Sequence, residues 1–262
     1  MTDFNPKLSI ITVSYNSAKT IEKTILSVIN QTYKNIEYII IDGSSTDGTV
    51  DIIKKYQDRI SYWVSEKDGG IYDAMNKGTS IAHGEYLNFM NSDDYFFSNS
   101  ALEESVEFLN GEYDIVYGNM ELRDDSFKQI RNIPSPKYLW MGHMSHQSSF
   151  IKRSTMLKYK YNTSNRIVAD YEFFLNVYYN DGKLLKIDKT ISSFYSNGFS
   201  GQNIKQSIED WYKTVRQFNH NPIIPIYYFY RKIKIILIFL LKKIIKPKLY
   251  YRIKKYTWDV FN

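Results

Sequence analysis

The sequence predicts an α/β fold in which a mostly parallel sheet is flanked by helices. An apolar, β-branched strand, a polar loop and a helical segment follow one another repeatedly before residue 96. Such units form right-handed crossovers, which place the strands parallel in one sheet. The loops after three of the strands carry the acidic residues Asp42, Asp68 and Asp93. Because ligands of such sheets bind at the carboxyl ends of the strands, we expect a site at these loops.

The first two units are predicted from runs of β-branched and apolar residues. These runs predict strands at 7–14 and 36–41, with the composition of buried parallel strands. The segments that follow them carry apolar side chains at helical spacing and predict helices at 18–30 and 49–56. Polar residues separate each strand from its helix, so both units have the expected strand, loop and helix order.

The third and fourth units repeat this plan. The pattern predicts strands at 60–65 and 85–90 and a helix at 71–82. The fourth strand ends in the loop 91–96, which reads Asn-Ser-Asp-Asp-Tyr-Phe. Charged side chains do not belong inside a buried strand, so the strand must stop before them.

The second half of the chain is less regular. It predicts a helix at 100–109, a further strand at 114–120 and a return towards the sheet at 144–150. A helix is predicted to start at Asp170. The glycine-bearing segment 193–201 is typical of a mobile loop.

Charge is distributed unevenly along the chain. The net charge is +6, but 24 basic and 27 acidic residues up to Pro225 give −3, whereas ten basic and one acidic residue after it give +9. We therefore predict a domain over 1–225 and a basic tail over 226–262. The mildly acidic body argues against a nucleic-acid groove, and the tail favours an anionic partner, either RNA or a membrane.

The tail combines apolar and cationic residues. Its longest apolar run, 235–241, is too short to cross a bilayer, which needs about 20 residues. Cations on both sides of this run favour an amphipathic helix lying on an anionic membrane surface. An ordinary helix packed on the domain is the alternative. The chain starts without the pattern of a secretory signal and has no cysteine, so we expect a cytoplasmic protein bound peripherally to the inner face of the cell membrane.

Asp93 and Asp94 predict a metal site. Two carboxylates on one short loop offer hard oxygen ligands to Mg²⁺ or Mn²⁺ carrying a substrate phosphate. An acidic loop that only faces water is the alternative. The chain has no Gly-x-Gly-x-x-Gly after its first strand and no Gly-x-x-x-x-Gly-Lys-Ser/Thr, so a bound phosphate must be held in another way.

Four motifs then follow in order. They are Thr-Val-Ser-Tyr-Asn at 12–16, Ile-Asp-Gly-Ser-Ser-Thr-Asp-Gly-Thr at 41–49, Gly-Ile-Tyr-Asp-Ala-Met-Asn-Lys-Gly at 70–78 and Asn-Ser-Asp-Asp at 91–94. In this order and spacing the sequence resembles the family 2 glycosyltransferases, over about residues 8–201. The resemblance implies a GT-A fold, an inverting transfer from a nucleotide diphosphate sugar, and a divalent cofactor, Mn or Mg.

The resemblance also implies roles at the nucleotide. Tyr15 matches the residue that lies against the base, and Asp42 belongs to the acidic pair that reads the base or ribose. Gly43 stands where the second acid of that pair is expected. Asp68, at its strand end, and Asp73, which shares a helix face with Asn76, are further candidates for contacts with the donor.

Roles at the metal and the acceptor follow in the same way. Asp93 and Asp94 match the metal-binding and ribose-binding carboxylates, and Asn91 replaces an acid common at the first position of this motif. Asp170 matches the general base that takes the proton of the acceptor hydroxyl. The alternative for Asp170 is the N-cap of its helix. His146 could approach the diphosphate or the acceptor, or could simply be a hydrogen-bonded histidine.

The expected function is a metal-dependent hexosyl- or N-acetylhexosaminyltransferase. It would use a UDP-sugar, and the tail favours a lipid-linked oligosaccharide of a surface polysaccharide as acceptor. A protein acceptor and a non-catalytic nucleotide-sugar-binding scaffold at the membrane are the alternatives. Nucleic acid is not expected as a partner, because the body lacks interleaved aromatic and basic residues.

Overall fold

The computed structural model describes residues 5–125, 127–142, 144–196, 198 and 203–244. The strands and helices alternate over the first half of the chain, as predicted, and three short 3₁₀ turns connect some of them. In chain order the elements are β1 (Leu8–Ser14), α1 (Ile21–Ile29), β2 (Ile36–Asp42), α2 (Thr49–Lys55), β3 (Tyr62–Ser65), α3 (Ile71–Ile81), β4 (Tyr86–Phe89), β5 (Tyr95–Phe96), α4 (Glu103–Val106), β6 (Ile115–Arg123), β7 (Lys128–Arg131), β8 (Ser149–Lys152), α5 (Arg153–Tyr159), α6 (Ala169–Tyr179), β9 (Leu184–Tyr195), α7 (Ile204–Phe218) and α8 (Ile223–Ile244).

One sheet organises these elements, in the order β3-β2-β1-β4-β8-β6-β9-β5, with β7 paired to β6. The first four strands run parallel to one another, with β1 between β2 and β4. Strand β8 joins β4 and β6 in antiparallel pairs, and β9 runs parallel to β6. The predicted α/β class is therefore confirmed, and its parallel part is the half of the sheet that the four repeated units predict.

Two boundaries in the second half differ from the prediction. The helix predicted at 100–109 is a single turn, α4. The loop predicted to start at Ser193 starts later, because β9 continues to Tyr195 and Ser193 pairs with Tyr95 of β5. The sequence from Ser193 to Tyr195 lacks the long apolar run of a central strand, and long-range pairing holds it extended. Most of the rest of that predicted loop lies outside the described residues.

Both faces of the sheet are covered. Alternate residues of β1 enter two separate apolar layers, with Leu8 and Ile10 in one and Ile11 and Val13 in the other. The second layer includes α3, which crosses β1 so closely that a Cβ on Gly78 would lie 2.5 Å from Cγ2 of Ile11. Helices on both faces leave the carboxyl ends of the parallel strands as the exposed edge where a site can form.

A buried carboxylate stabilises the opposite edge. Glu37 accepts hydrogen bonds from the Ser9 hydroxyl at 2.6 Å and the His83 backbone nitrogen at 2.7 Å, with the His83 ring at 2.9 Å and Lys7 at 3.5 Å. Burial by itself would raise the pKa of Glu37, but these bonds and the Lys7 charge lower that pKa to about 2. The native state therefore favours the ionised carboxylate.

Replacing Glu37 with Gln is expected to lower the free energy of unfolding at pH 7 by about 2–3 kcal/mol. The native pKa lies below the ordinary value of 4.5, so this stabilisation is present above pH 4.5 and is lost as the pH falls towards 2. Thermal melts of both proteins across this range test it, with exposed Glu112→Gln as the control. A difference that stays constant down to pH 3 would contradict the assignment.

The basic tail begins as a helix packed on the domain. Helix α8 starts at Ile223, two residues before the predicted boundary at Pro225. Tyr228 stacks on Tyr212 of α7 with ring centroids 4.2 Å apart and donates to Glu209, which also pairs with Lys232 at 2.8 Å. The packed-helix alternative thus describes the start of the tail. Among the described helices, none combines the length and apolar content that spanning a membrane requires.

Candidate functional site

The loops after β1, β2 and β3 bring together three residues on the predicted nucleotide side. Tyr15 follows β1 and is 68% exposed. A Cβ on Gly43 would lie 2.8 Å from Oδ2 of Asp68 and 3.4 Å from the Tyr15 ring. The glycine at the second position of the acidic pair therefore leaves room for the carboxylate that the next strand supplies. An open aromatic face beside a carboxylate is a suitable arrangement for a nucleoside.

Asp42 lies beneath this surface and is fully buried. Its two oxygens accept hydrogen bonds from the hydroxyls of Ser14, Ser45 and Ser65 at 2.8, 2.6 and 2.7 Å, and from the Ser45 backbone nitrogen at 2.9 Å. In this conformation Asp42 joins the ends of β1, β2 and β3. Its contact with a nucleotide remains a prediction that would require one of these donors to move.

Asp73 and Asn76 lie on α3 with different partners. Asp73 accepts from the Gly69 backbone nitrogen at 2.9 Å and lies 3.7 Å from Lys77. Asn76 exchanges two hydrogen bonds with the backbone of Tyr161, at 2.8 and 3.0 Å. Asp73 thus orders the loop that carries Asp68, whereas Asn76 connects α3 to the segment before α6.

The two acidic residues after β4 have different surroundings. Asp94 is buried, and its oxygens accept from the Tyr195 backbone nitrogen at 2.8 Å and from Nε2 of Gln147 at 2.7 Å. Burial and the charge of Asp93 raise the pKa of Asp94 well above its ordinary value. Asp93 is less buried, and burial raises the pKa of its carboxyl too. Asp94 therefore anchors the loop, and Asp93 is the more accessible carboxylate of the pair.

Arg123 of β6 supports this loop from the other side. Its guanidinium donates to the backbone oxygen of Asp93 and to the Ser193 hydroxyl, the latter at 3.1 Å. It lies between the rings of Tyr95 and Tyr195, 4.4 and 5.0 Å from their centroids. No sequence motif singles out Arg123, because its role depends on strand pairing between β6 and β9.

Asp170 lies opposite, in the first turn of α6. Its Oδ2 is 2.9 Å from Nδ1 of His146, and its Oδ1 accepts a hydrogen bond from the Tyr72 hydroxyl at 2.9 Å. Burial by itself would raise the pKa of Asp170, but the hydrogen bonds from His146 and Tyr72 bring that pKa below its ordinary value. Val168 occupies the N-cap position, so the N-cap alternative for Asp170 is wrong.

His146 connects the two halves of the site. Its Nε2 lies 3.1 Å from Nδ2 of Asn91, while Nδ1 faces Asp170. The hydrogen-bond network fits a ring that accepts from Asn91 and donates to Asp170. The sequence left two possibilities for His146, a contact with the diphosphate or acceptor and a simple hydrogen-bonded histidine. It did not single out Tyr72, although Tyr72 belongs to the 70–78 motif.

The residues here fit a divalent ion only in combination with a ligand. Among the described residues, no three acidic or histidine side chains form a metal cluster. Among the residues that the structure describes, Oδ1 of Asn91 has no hydrogen-bond partner and is buried, and the Asp93 carboxylate lies two residues further along the same loop. One carboxylate and one amide oxygen leave most coordination positions to phosphate oxygens and water, which is typical of Mg²⁺ and Mn²⁺ sites that bind nucleotides.

Comparisons with known proteins identify the family to which this chain belongs. The chain matches the family described as Glycosyl transferase family 2 over residues 9–174. It is 40% identical over 112 residues to TuaG of Bacillus subtilis (strain 168), a glycosyltransferase named for teichuronic acid biosynthesis, a match that covers 42% of this chain and 44% of TuaG.

Two solved structures share the fold. One is S. aureus TarS residues 1–349 in complex with UDP-GlcNAc, with TM-score 0.66, 21% identity and coverage of 81% of this chain and 65% of TarS. The other is the mannosyltransferase PcManGT from Pyrobaculum calidifontis with GDP-Man and Mn²⁺, with TM-score 0.66, 16% identity and coverage of 86% and 69%. The family match spans more than half of the chain, from β1 to α6, and includes every loop of the site. The chain belongs to glycosyl transferase family 2.

Proposed function

We propose that this protein transfers one hexosyl or N-acetylhexosaminyl unit from a UDP-sugar to a hydroxyl of a growing glycan, with inversion at the anomeric carbon. The observation that carries the proposal is the hydrogen-bonded arrangement of Asp170 with His146 and Tyr72, across from the Asn91 and Asp93 loop. Binding of nucleotide sugars by the two structural neighbours supports a nucleotide-sugar donor.

In the proposed mechanism Asp170 is the general base. The acceptor hydroxyl loses its proton to Asp170 while its oxygen forms a bond to the anomeric carbon of the donor. The bond from that carbon to the diphosphate breaks on the opposite face, through a transition state with oxocarbenium character. The lowered pKa of Asp170 keeps the carboxylate ionised and able to accept this proton at neutral pH.

The residues that would hold the metal ion and those that would bind the nucleotide assist this step. Asp93 and Oδ1 of Asn91 would hold the divalent ion, which supplies positive charge to the departing diphosphate when bound. Mn²⁺ in the PcManGT complex supports such an ion, and the donor set here accepts either Mn²⁺ or Mg²⁺. Tyr15 and Asp68 would contact the base and ribose, with Asp42 and Asp73 ordering the loops around them.

We further propose a lipid-linked oligosaccharide as acceptor and a peripheral position on the inner face of the membrane. Helix α8 supports both, because a row of apolar side chains between 49% and 68% exposed follows one side of it at intervals of three and four residues. This apolar stripe comprises Ile226, Phe229, Ile233, Leu237 and Leu240. The relative TuaG, named for teichuronic acid biosynthesis, also supports a glycan of the cell surface.

Placing Glu at both Phe229 and Ile233 is expected to lower binding to anionic liposomes by about tenfold or more, since each change removes the transfer free energy of one buried apolar side chain. Flotation of the full chain with phosphatidylglycerol vesicles measures the effect. Leu157→Glu, a change at an apolar residue of α5 that is 36% exposed, is the control. Equal flotation of the double variant and the wild type would refute the membrane role of α8.

A screen of nucleotide sugars with Mn²⁺ tests the enzymatic proposal. The expected result is hydrolysis or transfer with at least one UDP-sugar, and a product whose anomeric configuration is opposite to that of the donor by NMR. Retained configuration would refute the inverting mechanism. Binding of a nucleotide sugar without turnover, under any acceptor condition, would instead favour the non-catalytic scaffold, and turnover onto a peptide would favour a protein acceptor.

A further inference from the structure

Asn91 lies between the proposed ion ligands and the proposed base. It follows β4, and its Nδ2 is 3.1 Å from Nε2 of His146. Its Oδ1 is buried and, in the part of the chain that the structure describes, has no hydrogen-bond partner. The oxygen and the nitrogen belong to one planar amide, so whatever holds one end fixes the direction of the other. Asn91 can therefore pass a change at its oxygen on to the His146 ring.

The hydrogen bonds of His146 decide which way this amide is turned. Nδ1 of His146 is 2.9 Å from Oδ2 of Asp170, and an ionised carboxylate only accepts hydrogen bonds. The proton of a neutral ring is then on Nδ1, which leaves Nε2 as an acceptor. Nε2 in turn requires the N–H end of Asn91, so Oδ1 is the end that remains for a cation. The hydrogen bonds thus run in one direction, from Asn91 through His146 to Asp170.

An aspartate at position 91 would not form this chain of hydrogen bonds. An acid is common at this first position of the motif, but a carboxylate has no hydrogen to donate. It would face Nε2 of His146 only if that nitrogen also carried a hydrogen. An amide can offer its oxygen to a cation and at the same time donate to a neutral imidazole. This double capacity gives the presence of Asn91 a physical reason.

The turn that carries His146 is bound to the same loop at a second point. His146 is 7% exposed and begins the short 3₁₀ turn 146–148. The next residue, Gln147, donates from Nε2 to Asp94 at 2.7 Å. Asn91 and Asp94 thus attach both ends of the Asn-Ser-Asp-Asp motif to this turn, and burial limits the positions open to the ring. A change in how Asn91 is held therefore reaches the His146 ring.

We propose that Asn91 is a positioning residue that couples occupation of the donor site to the general base. With Oδ1 of Asn91 on the divalent ion, the amide is held with its N–H on His146, and His146 is held with Nδ1 on Asp170. The base is then fully aligned only when the donor and its ion are present. This inference rests on the proposed function, in which Asn91 is an ion ligand and Asp170 is the base. Coupling is reciprocal, so a change at His146 must also alter the affinity for the ion.

Calorimetric titration of the full chain with Mg²⁺ in saturating UDP measures this coupling without any sugar transfer. His146→Ala is expected to weaken Mg²⁺ binding about fivefold, the value of about one neutral hydrogen bond. In an Asn91→Ala background the same substitution should have no further effect, because the contact is already lost. Tyr72→Phe is the matched control. It removes the other hydrogen bond of Asp170, at 2.9 Å, leaves His146 and Asn91 in place, and should not change Mg²⁺ affinity.

The NMR signals of the imidazole nitrogens give a readout that a purely structural role would not change. In UDP-saturated protein, Mg²⁺ is expected to shift the Nε2 signal of His146, since the N–H that this nitrogen accepts is polarised by the cation on the same amide. His83, whose Nδ1 lies 2.9 Å from a Glu37 carboxylate oxygen at the opposite edge of the sheet, is the internal reference and should not shift. Asn91→Asp should still bind Mg²⁺ but lose the response of His146, because it keeps an oxygen ligand and has no N–H.

Three results would overturn the inference. Equal losses of Mg²⁺ affinity in Tyr72→Phe and His146→Ala would reduce the effect to a general loosening around Asp170. Additive losses for Asn91→Ala and His146→Ala would show that these two side chains act independently. A His146 signal that responds in Asn91→Asp as it does in the wild type would assign the response to the electric field of the ion, not to the amide.

Two further results separate this inference from other failures. If Asn91→Ala binds no Mg²⁺ at all, the NMR comparison with Asn91→Asp decides. A wild type that shows the coupling but transfers no sugar would refute the proposed transferase activity and not the coupling. Sugar transfer by a wild type whose His146 signal ignores Mg²⁺ would refute the coupling alone.

Discussion

Replacing Asp170 with Asn is expected to lower the rate constant of sugar transfer by about 10³-fold while binding of the donor persists. An amide cannot take the proton of the acceptor hydroxyl, although its oxygen can still accept the Tyr72 hydrogen bond seen at 2.9 Å. Single-turnover transfer and calorimetric binding of the UDP-sugar separate chemistry from binding. Transfer at the wild-type rate by a variant that binds donor and metal normally would show that Asp170 is not the base.

His146→Gln separates the base from its support. His146 lowers the pKa of Asp170, so its removal is expected to raise that pKa towards the value that burial favours. The acid limb of the pH-rate profile should then move to higher pH, because the base loses its charge earlier as the pH falls. A profile that keeps its position while the rate falls uniformly would limit His146 to holding the loop in place.

Replacing Asp93 with Ala is expected to reduce metal-dependent transfer by about 10²-fold or more, because the remaining protein ligand would be an amide oxygen. The melting temperature should change little, since removing a carboxylate whose pKa is raised by burial costs the fold little. Initial rates against Mn²⁺ concentration, together with thermal melts, measure both effects.

Asp94→Ala is the matched comparison on the same loop. It would leave the Tyr195 backbone nitrogen and the Gln147 amide without their acceptor, and we expect a loss of about 2–4 kcal/mol of stability. If the Asp94→Ala protein is as stable as the wild type but its activity no longer depends on metal, Asp94 rather than Asp93 is the metal ligand.

The sequence predicts the parallel half of the sheet because each strand there is a continuous apolar run followed by a helix. Strands β5, β7 and β8 have two to four residues and take their conformation from partners far along the chain, so no local pattern indicates them. The same reason explains why β9 extends beyond Ser193. Pairing between distant strands decides these elements, not composition.

The candidate site was predictable to the extent that its residues end strands or begin helices. Asp68 and Asp170 follow that rule. The burial of Asp42 and Asp94 could not be predicted in this way. It depends on hydroxyl, amide and backbone donors that the fold brings together from separate strands and turns. Arg123 reaches the site from the end of β6, and Tyr72 reaches it from the first turn of α3. These contacts depend on the tertiary structure and have no local sequence signal.

The close approach of Gly43 and Asp68 makes the two positions interdependent in their substitutions. A side chain at 43 would start 2.8 Å from the Asp68 carboxylate, which also holds the Gly70 backbone nitrogen at 2.8 Å. We therefore expect Gly43→Asp to weaken UDP binding alone, and to recover part of it when combined with Asp68→Gly. If the effects of the two substitutions on the free energy of UDP binding simply add, the two positions are not interdependent. If the two substitutions compensate in this way, the acid can come from either strand, and a lineage would change between the two arrangements through a less active intermediate.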